Sequence, residues 1–320
     1  MEQIAFIFDN TILYWNCIML ALAAGVAVCV FLAFYLPRGS VAAAAAAIPL
    51  ALVLSLLLGR LLHWYFCPDS YESLRTALTD YTSGGYALTG CFAACALTAS
   101  LTKLLRLEKS ALCMLDSMSI GGCAGIAVGR LACFFTAADR GQLMQKIISL
   151  PLAYPVKNVV TGTPEYRLAT FVLQAMATAV IFAALTVFSL KGAGRRDGDV
   201  TLLFLLLYGF SQAVLDSTRY DSLYLRSNGF IRVVQLLSAV AMTAAAILFS
   251  VRMVRQRGMR RWYIPLWAAM PALLGGAGYM EYFVQRHGGR ALLGYCVMAA
   301  CLGAFTVLSL LTYRLGTKST

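Results

Sequence analysis

The chain has 320 residues, of which 60% are hydrophobic and only 12% are charged, and its mean hydropathy is +0.75. A water-soluble protein of this length cannot bury so much apolar surface, so the composition predicts a polytopic membrane protein. The net charge of +12 is common in nucleic-acid-binding proteins, but in a membrane protein it reflects basic cytoplasmic loops.

The amino-terminal stretch MEQIAFIFDN is acidic and lacks a basic n-region, so we expect no cleavable signal peptide. Ten cysteines are scattered along the chain without a CxxC pair or a Cys/His metal spacing. We interpret them as small packing residues, and we expect no disulfide, no metal and no cofactor.

The chain contains nine apolar runs that approach the length needed to cross a bilayer, roughly twenty residues each. This pattern predicts an all-α polytopic transmembrane bundle. The predicted spans lie near residues 12–36, 40–62, 84–102, 111–135, 168–190, 201–218, 230–251, 262–284 and 291–313.

The loops on one side of this bundle are short and rich in lysine and arginine, which is typical of cytoplasmic loops. The N-terminus is therefore predicted to lie outside and the C-terminus inside. The basic run RMVRQRGMRR separates the last two spans from the first seven and is expected to contact anionic lipid headgroups. We predict a seven-span domain at 1–251, followed by a linker and two additional helices at 252–320.

Three arginines lie within or at the edge of apolar runs, where each charge costs at least ~2.5 kcal/mol at the centre of a span. They are Arg60, Arg130 and Arg232, and the predicted orientation puts all three at the outer ends of their spans. Snorkelling to the headgroups would explain any one of them. Three on one side favour a shared site. Asp116, near a cytoplasmic end, is interpreted as a structural partner or cap.

The sixth predicted span carries a polar stripe, because Tyr208, Gln212 and Asp216 are spaced by four residues and Arg219 follows three later. This spacing puts them on one helical face. Such a face cannot point to lipid, so it forms either a hydrogen-bonded seam between helices or a cavity. The gradient from phenol to guanidinium favours a cavity that opens outward.

The second span ends in GRLLHWYF, where Arg60 and His63 are three residues apart on one face. Three glycines bracket the outer start of the third span: Gly84, Gly85 and Gly90. Glycines there permit close approach of the backbone to another helix or to a bound headgroup.

The order of these motifs resembles that of the bacterial prolipoprotein diacylglyceryl transferase family, over about residues 10–251. The family signature G-R-x-x-N-F-x-N-x-E-x-x-G is similar to GRLACFFTAADRG, which matches it at Gly129, Arg130, Phe134 and Gly141. The family motif Y-G-x-x-R-F-x-x-E is similar to YGFSQAVLD, beginning at Tyr208. The stretch NGFIRVVQLLS matches a third motif at Gly229, Gln235 and Ser238.

Several positions depart from these motifs. Cys133 stands where the family has Asn, and Ala138 where it has Glu, with Asp139 one residue away. Thr89 replaces the motif His, Gln212 the Arg and Asp216 the Glu. The usual candidate for activating a thiol is therefore missing, and His63 and Asp216 are the candidates to replace it.

The resemblance implies transfer of a diacylglyceryl group from phosphatidylglycerol to the lipobox cysteine of a prolipoprotein, at the outer face of the bacterial cytoplasmic membrane. The segment 136–167 is the expected peptide-guiding arm. The expected catalytic residues are Arg130, Asp216, Tyr208 and His63. The expected substrate-binding residues are Arg232, Arg60, Gln212, Gly84, Gly85, Gly90, Asp139, Gly141 and Gln235.

Two other functions stay open. The altered motif positions would suit a non-catalytic relative that binds a phospholipid or lipopeptide. A transporter or flippase is less favoured, because the chain shows no paired repeats and its polar groups lie in one leaflet rather than at the midplane. Nucleic-acid binding is disfavoured, since the basic residues are spread over short loops. The partners expected are membrane lipid and a prolipoprotein, and the oligomeric state is left open.

Overall fold

A computed structural model describes residues 4–8, 11–80, 85–136, 138–144, 152–157, 161–191, 196–225, 228–287 and 291–317. Within these residues the chain is mostly helical. The α-helices are α1 Trp15–Tyr35, α2 Val41–Phe66, α3 Leu74–Thr79, α4 Leu88–Leu104, α5 Ala111–Gly129, α6 Thr170–Lys191, α7 Asp199–Ser217, α8 Val233–Arg257, α9 Tyr263–His287 and α10 Ala291–Thr317.

Seven helices in the described part of the chain are long and apolar enough to cross a membrane, namely α1, α2, α5 with its 3-10 extension, α6, α7, α8 and α10. The protein is thus a multi-pass membrane protein. Helix α4 is a shorter apolar helix of 17 residues, and the 25-residue α9 is not among the seven. A helix lies at each of the nine predicted positions, but seven of these helices are long and apolar enough to cross a membrane, so the count of nine spans and their orientation stay predictions.

Short β-hairpins join some of the helices, which the all-α prediction did not include. The described residues form three antiparallel two-stranded sheets, each between neighbouring strands of the chain. One hairpin precedes α1 and the other two lie between helices, and in all three the strands supply backbone hydrogen-bond partners that a helix does not. The strands are β1 Ile4–Phe8, β2 Thr11–Tyr14, β3 Ala153–Lys157, β4 Pro164–Leu168, β5 Tyr224–Leu225 and β6 Asn228–Arg232.

Local capping explains where several helices begin. The side chains of Ser40 and Ser110 accept hydrogen bonds from the backbone N–H groups of Ala43 (3.1 Å) and Cys113 (3.3 Å), at the first turns of α2 and α5. Asp116 performs the same task across helices, because its carboxylate accepts from the N–H groups of Gly198 and Thr201, both at 2.9 Å, where α7 begins. The interpretation of Asp116 as a structural cap is confirmed.

The chain divides into two compact units. Unit 1 comprises Met1–Thr201 and Asp221–Val233, and unit 2 comprises Leu202–Tyr220 and Val234–Thr320. In unit 1, α1 packs on α5, α2 on α4, and α5 on α6. Unit 2 has its own apolar core. The predicted division at residue 251 follows different boundaries and stays a prediction.

Candidate functional site

Arg130 lies at the start of a 3-10 helix, Arg130–Phe135, which continues directly from the end of α5. Its guanidinium forms an ion pair with the Asp139 carboxylate, and the two side chains are only 15% and 10% exposed. The Cys133 thiol also donates to Asp139 Oδ2, at 3.4 Å. An arginine in this setting presents a positive charge that is already oriented by its carboxylate partner.

The backbone of Asp139 is in the left-handed region, with φ of 55°. A non-glycine residue adopts this conformation at a cost, although aspartate does so more often than most. The Asp221 carboxylate accepts a hydrogen bond from the Asp139 backbone N–H at 2.8 Å. Asp221 thereby stabilises the turn that directs the Asp139 side chain toward Arg130.

Arg140 is buried, with 3% of its surface exposed, between loop carbonyls and aromatic rings. Its Nη2 donates to the carbonyl oxygens of Cys133 (2.7 Å) and Thr136 (2.5 Å). Its guanidinium carbon lies 4.1 Å from the ring centroid of Tyr154 and 4.5 Å from that of Phe171. Burial lowers the pKa of Arg140, but an arginine stays protonated at neutral pH. Arg140 therefore clamps the turn after Arg130 onto the β3–β4 hairpin and α6.

Gly141 completes this turn by allowing a close backbone approach. Its N–H donates to the Leu168 carbonyl at 2.7 Å. A Cβ atom at this position would lie 2.6 Å from Thr170 Oγ1 and 2.7 Å from Leu168 Cβ. The predicted functional glycine thus has a packing role, while any contact with substrate stays a prediction.

Arg232 is buried at the end of the β5–β6 hairpin, with 6% exposure. Its Nη1 donates to Ser222 Oγ at 3.1 Å, and its guanidinium carbon lies 5.7 Å from the Tyr224 ring centroid. Ser222 follows Asp221, the residue that supports Asp139. Arg130 and Arg232 are thus connected through one short segment of unit 1.

Arg60 belongs to a separate cluster of contacts around the loop after α2. It is 1% exposed. Its Nε donates to the Ala77 carbonyl at 2.8 Å, its Nη1 donates to the Gly85 carbonyl at 3.1 Å, and its Nη2 donates to the Asp80 carbonyl. Tyr86 stacks beside it. These contacts make Arg60 a clamp on loop backbone, and its predicted contact with a phosphate stays a prediction.

Tyr71 connects the contacts of Arg60 to His63. The sequence indicated His63 as a candidate site residue but did not indicate Tyr71 as its partner. The Tyr71 hydroxyl lies 3.0 Å from Arg60 Nη1, 3.2 Å from the Gly85 carbonyl oxygen and 2.8 Å from His63 Nδ1. Arg60 and His63 therefore do share a face, as predicted. The neighbouring Gly84 lies outside the described residues.

Gly90 allows α4 to cross α2 at close range. A Cβ atom on Gly90 would lie 2.5 Å from the Cα of Gly59, and the Ala87 N–H donates to the Gly59 carbonyl at 3.0 Å. Of the two roles proposed for this glycine, the structure supports approach to another helix.

The predicted polar stripe of α7 lies in unit 2 and is buried, which confirms that it does not face lipid. Exposure is 6% for Tyr208, 1% for Gln212 and 0% for Asp216. Asp216 Oδ1 lies 3.4 Å from Nη1 of Arg219, which follows the end of α7 and so is not part of its helical face. Gln235, in α8, donates from Nε2 to the Ala213 carbonyl at 3.1 Å and so joins α8 to α7.

Comparison with known proteins shows to which family the chain belongs. A family model described as prolipoprotein diacylglyceryl transferase matches residues 3–251. The chain belongs to this family. The match includes every predicted site residue and ends within α8, so α9 and α10 lie beyond it.

Individual members of the family are distant relatives. The chain is 31% identical over 133 residues to the phosphatidylglycerol–prolipoprotein diacylglyceryl transferase of Streptococcus equi subsp. zooepidemicus, covering 42% of this chain and 49% of that protein. It is 30% identical over 184 residues to the protein of the same name from Thermotoga petrophila (57% and 60%), and 26% over 210 residues to that of Lactococcus lactis subsp. lactis (66% and 77%). The chain thus spans about half the length of the first of these relatives.

The structure shows two further residues that hold the Arg130–Asp139 turn of this chain and that the sequence did not indicate. No role was predicted for Arg140 or Asp221, yet both support the Arg130–Asp139 turn. Asp221 acts on a residue 82 positions away, and Arg140 bonds to backbone carbonyls of an irregular turn, so no side-chain spacing could have identified either role. The only available signal was the DRG triplet itself, which places two charges before a glycine.

Proposed function

We propose that this protein transfers the diacylglyceryl group of phosphatidylglycerol to the lipobox cysteine thiol of a prolipoprotein, at the outer face of the bacterial cytoplasmic membrane. The observation that carries this proposal is the largely buried Arg130–Asp139 ion pair, in the segment that resembles the family signature and lies within the family match. Its arginine can form two hydrogen bonds to a phosphate, which suits the group that must leave.

In this reaction the cysteine thiol loses a proton and its sulfur attacks a glyceryl carbon. A carbon–sulfur bond forms, the carbon–oxygen bond to phosphate breaks, and glycerol phosphate leaves with the bonding electrons. Arg130 stabilises the negative charge on the leaving phosphate, and Arg232 offers a second cation in the same unit. Asp139 keeps Arg130 oriented before the lipid binds.

The remaining roles follow from the α7 stripe and from His63. Asp216 or His63 accepts the thiol proton, since the family His is Thr89 here. Tyr208 and Gln212 hold ester and glycerol oxygens. Residues 136–167, which include the β3–β4 hairpin, guide the peptide.

The test is a transfer assay with the purified full chain, phosphatidylglycerol radiolabelled in its acyl chains, and a synthetic lipobox peptide. We expect label on the peptide, and none on a peptide whose cysteine is serine. Arg130→Ala should lower transfer by about 100-fold, the loss typical of removing one electrostatic stabiliser of a transition state. Asp216→Ala should also lower it.

Arg38→Ala is the matched control, because Arg38 is an exposed arginine in the turn after α1. Arg130→Lys retains a positive charge near Asp139. It therefore serves as a control for a loss of transfer that arises because Arg130→Ala fails to fold. Unchanged turnover in both Arg130→Ala and Asp216→Ala would refute the residue assignment.

A non-catalytic, lipid-binding relative is the second candidate, favoured by Cys133 and Thr89 at motif positions. It predicts that the chain binds phosphatidylglycerol vesicles but labels no peptide. The same assay, with a vesicle-binding measurement added, separates the two functions.

A further inference from the structure

Helices α9 and α10 lie beyond the family match, yet they share one apolar core with α7 and α8. Each of the four helices contributes buried side chains to this core. Trp267 of α9 also donates from Nε1 to Ser250 Oγ of α8 at 3.1 Å. The core residues are Leu202, Leu206, Ala213, Met242, Ala245, Ala246, Phe249, Met270, Ala277, Met298, Leu302 and Phe305.

A buried polar network fastens these two helices to the last residue of α7. The hydroxyl of Ser217 donates to the carboxylate of Glu281 in α9, and Gln285 Nε2 donates to the other carboxylate oxygen at 2.6 Å. The hydroxyl of Tyr295, in α10, donates to the Ser217 carbonyl at 3.4 Å. Ser217 is 1% exposed and Glu281 9%.

This network contacts the C-terminal turn of α7, where the backbone of a helix is least well hydrogen-bonded. The last four carbonyl groups of a helix lack intrahelical partners, and the final turn frays unless something holds it. Tyr295 supplies a partner for one such carbonyl, and Glu281 holds the side chain of the same residue. A bond to a buried carboxylate is stronger than one between neutral groups.

The residue before Ser217 is Asp216, whose side chain is fully buried and paired with Arg219. The geometry of this pair depends on the turn that contains it. Two backbone hydrogen bonds define that turn, from the N–H of Thr218 to the Leu215 carbonyl and from the N–H of Arg219 to the Asp216 carbonyl, both 3.1 Å.

We propose that α9 and α10 lock the C-terminal turn of α7, with Glu281 as the positioning residue that fixes the Asp216–Arg219 pair. The consequence for catalysis rests on the proposed function, in which Asp216 is a site residue. The lock itself depends only on contacts within unit 2. In this proposal α9 and α10 contribute to the geometry of the site and do not only anchor the chain in the membrane.

Hydrogen–deuterium exchange on the full chain in detergent micelles tests the lock without using activity. Glu281→Ala should speed exchange of the Thr218 and Arg219 amides about tenfold, as expected from losing one hydrogen bond to a charged group. Glu281→Gln retains a side-chain acceptor of the same size and should raise exchange only about threefold.

Ser309→Ala is the matched control in the same unit. Ser309 is fully buried in α10, and within the described part of the chain its hydroxyl bonds to its own helix, at the Phe305 carbonyl 2.9 Å away. This variant should leave the Thr218 and Arg219 amides unchanged. Unchanged exchange in Glu281→Ala, or an equal rise in Ser309→Ala, would overturn the proposal.

The transfer assay then tests what the lock does. In Glu281→Ala, kcat should fall about tenfold while KM for phosphatidylglycerol is retained, because the variant disturbs a positioned group rather than lipid binding. Faster exchange with unchanged kcat would overturn the positioning role. If the wild-type chain transfers no label while Glu281→Ala still exchanges faster, the proposed function fails and the lock is supported.

Discussion

In unit 1, the buried guanidinium groups of Arg60 and Arg140 donate to backbone carbonyls and lie against aromatic rings. In unit 2, Glu281 instead joins side chains of different helix turns, Ser217 on α7 and Gln285 on α9. The first arrangement fixes the conformation of loops, and the second fixes the ends of helices against each other. Buried polar groups in this protein therefore serve two structural purposes, set by the element they contact.

The largest expected difference between the units concerns Arg140. Arg140→Ala removes two hydrogen bonds to carbonyls and two aromatic contacts, so the free energy of unfolding should fall by about 3 kcal/mol. Gln285→Ala in unit 2, which removes one bond to Glu281, should cost about 1 kcal/mol. Denaturation in detergent micelles measures both.

Arg140→Lys sharpens this prediction. Lysine keeps the positive charge but lacks the planar group that stacks on Tyr154 and Phe171. The free energy of unfolding of Arg140→Lys should therefore lie between that of the wild type and that of Arg140→Ala. If Arg140→Ala costs no more than Gln285→Ala, the loop clamp is not a strong contributor to unit 1.

A smaller effect is expected at Gly141. Gly141→Ala would press a methyl group onto Thr170 and Leu168, and should cost about 2 kcal/mol by overpacking. Gly122→Ala is the matched control, because nothing lies within 4 Å of a Cβ there. Alanine also favours the helical conformation, so this control should be neutral or stabilising. Equal melting temperatures for the two variants would contradict the close approach.

The smallest effect concerns the hydroxyl that joins Arg60 to His63. Tyr71→Phe retains the ring beside Arg60 but removes the hydroxyl, and should cost about 1 kcal/mol. Tyr279→Phe is the control, since Tyr279 is 62% exposed. Thermal unfolding of the two variants side by side measures the difference. A loss in Tyr279→Phe as large as that in Tyr71→Phe would mean that the Tyr71 hydroxyl has no special role.

The helices could be predicted because each depends on a continuous stretch of chain. Runs of about twenty apolar residues are long enough to cross the hydrocarbon layer. The burial of the α7 stripe followed from the same local logic, because residues spaced by four share a face of a helix. Asp116 was also interpreted correctly as a cap, although its partners in α7 could not be named.

The partners of the arginines could not be predicted, because they lie outside the helix or strand that carries each arginine. Arg140 lies against Tyr154 and Phe171, and Asp139 pairs with Arg130 from a turn in which its own backbone is in the left-handed region. The hairpins were not predicted for a related reason. Each is short, and connecting segments lack the long period that marks a helix.

The amino-acid sequence by itself determined the positions of the nine long helices and of the family motifs, since hydrophobic length and motif spacing are local properties; the short helix α3 was not predicted. The tertiary structure decided which charges meet. Ser217 bonds to Glu281 although 64 residues separate them, and Asp139 is supported by Asp221 across 82 residues. Such contacts depend on how the loops bring distant segments of the chain together. The spacing of side chains along one helix or strand does not indicate this.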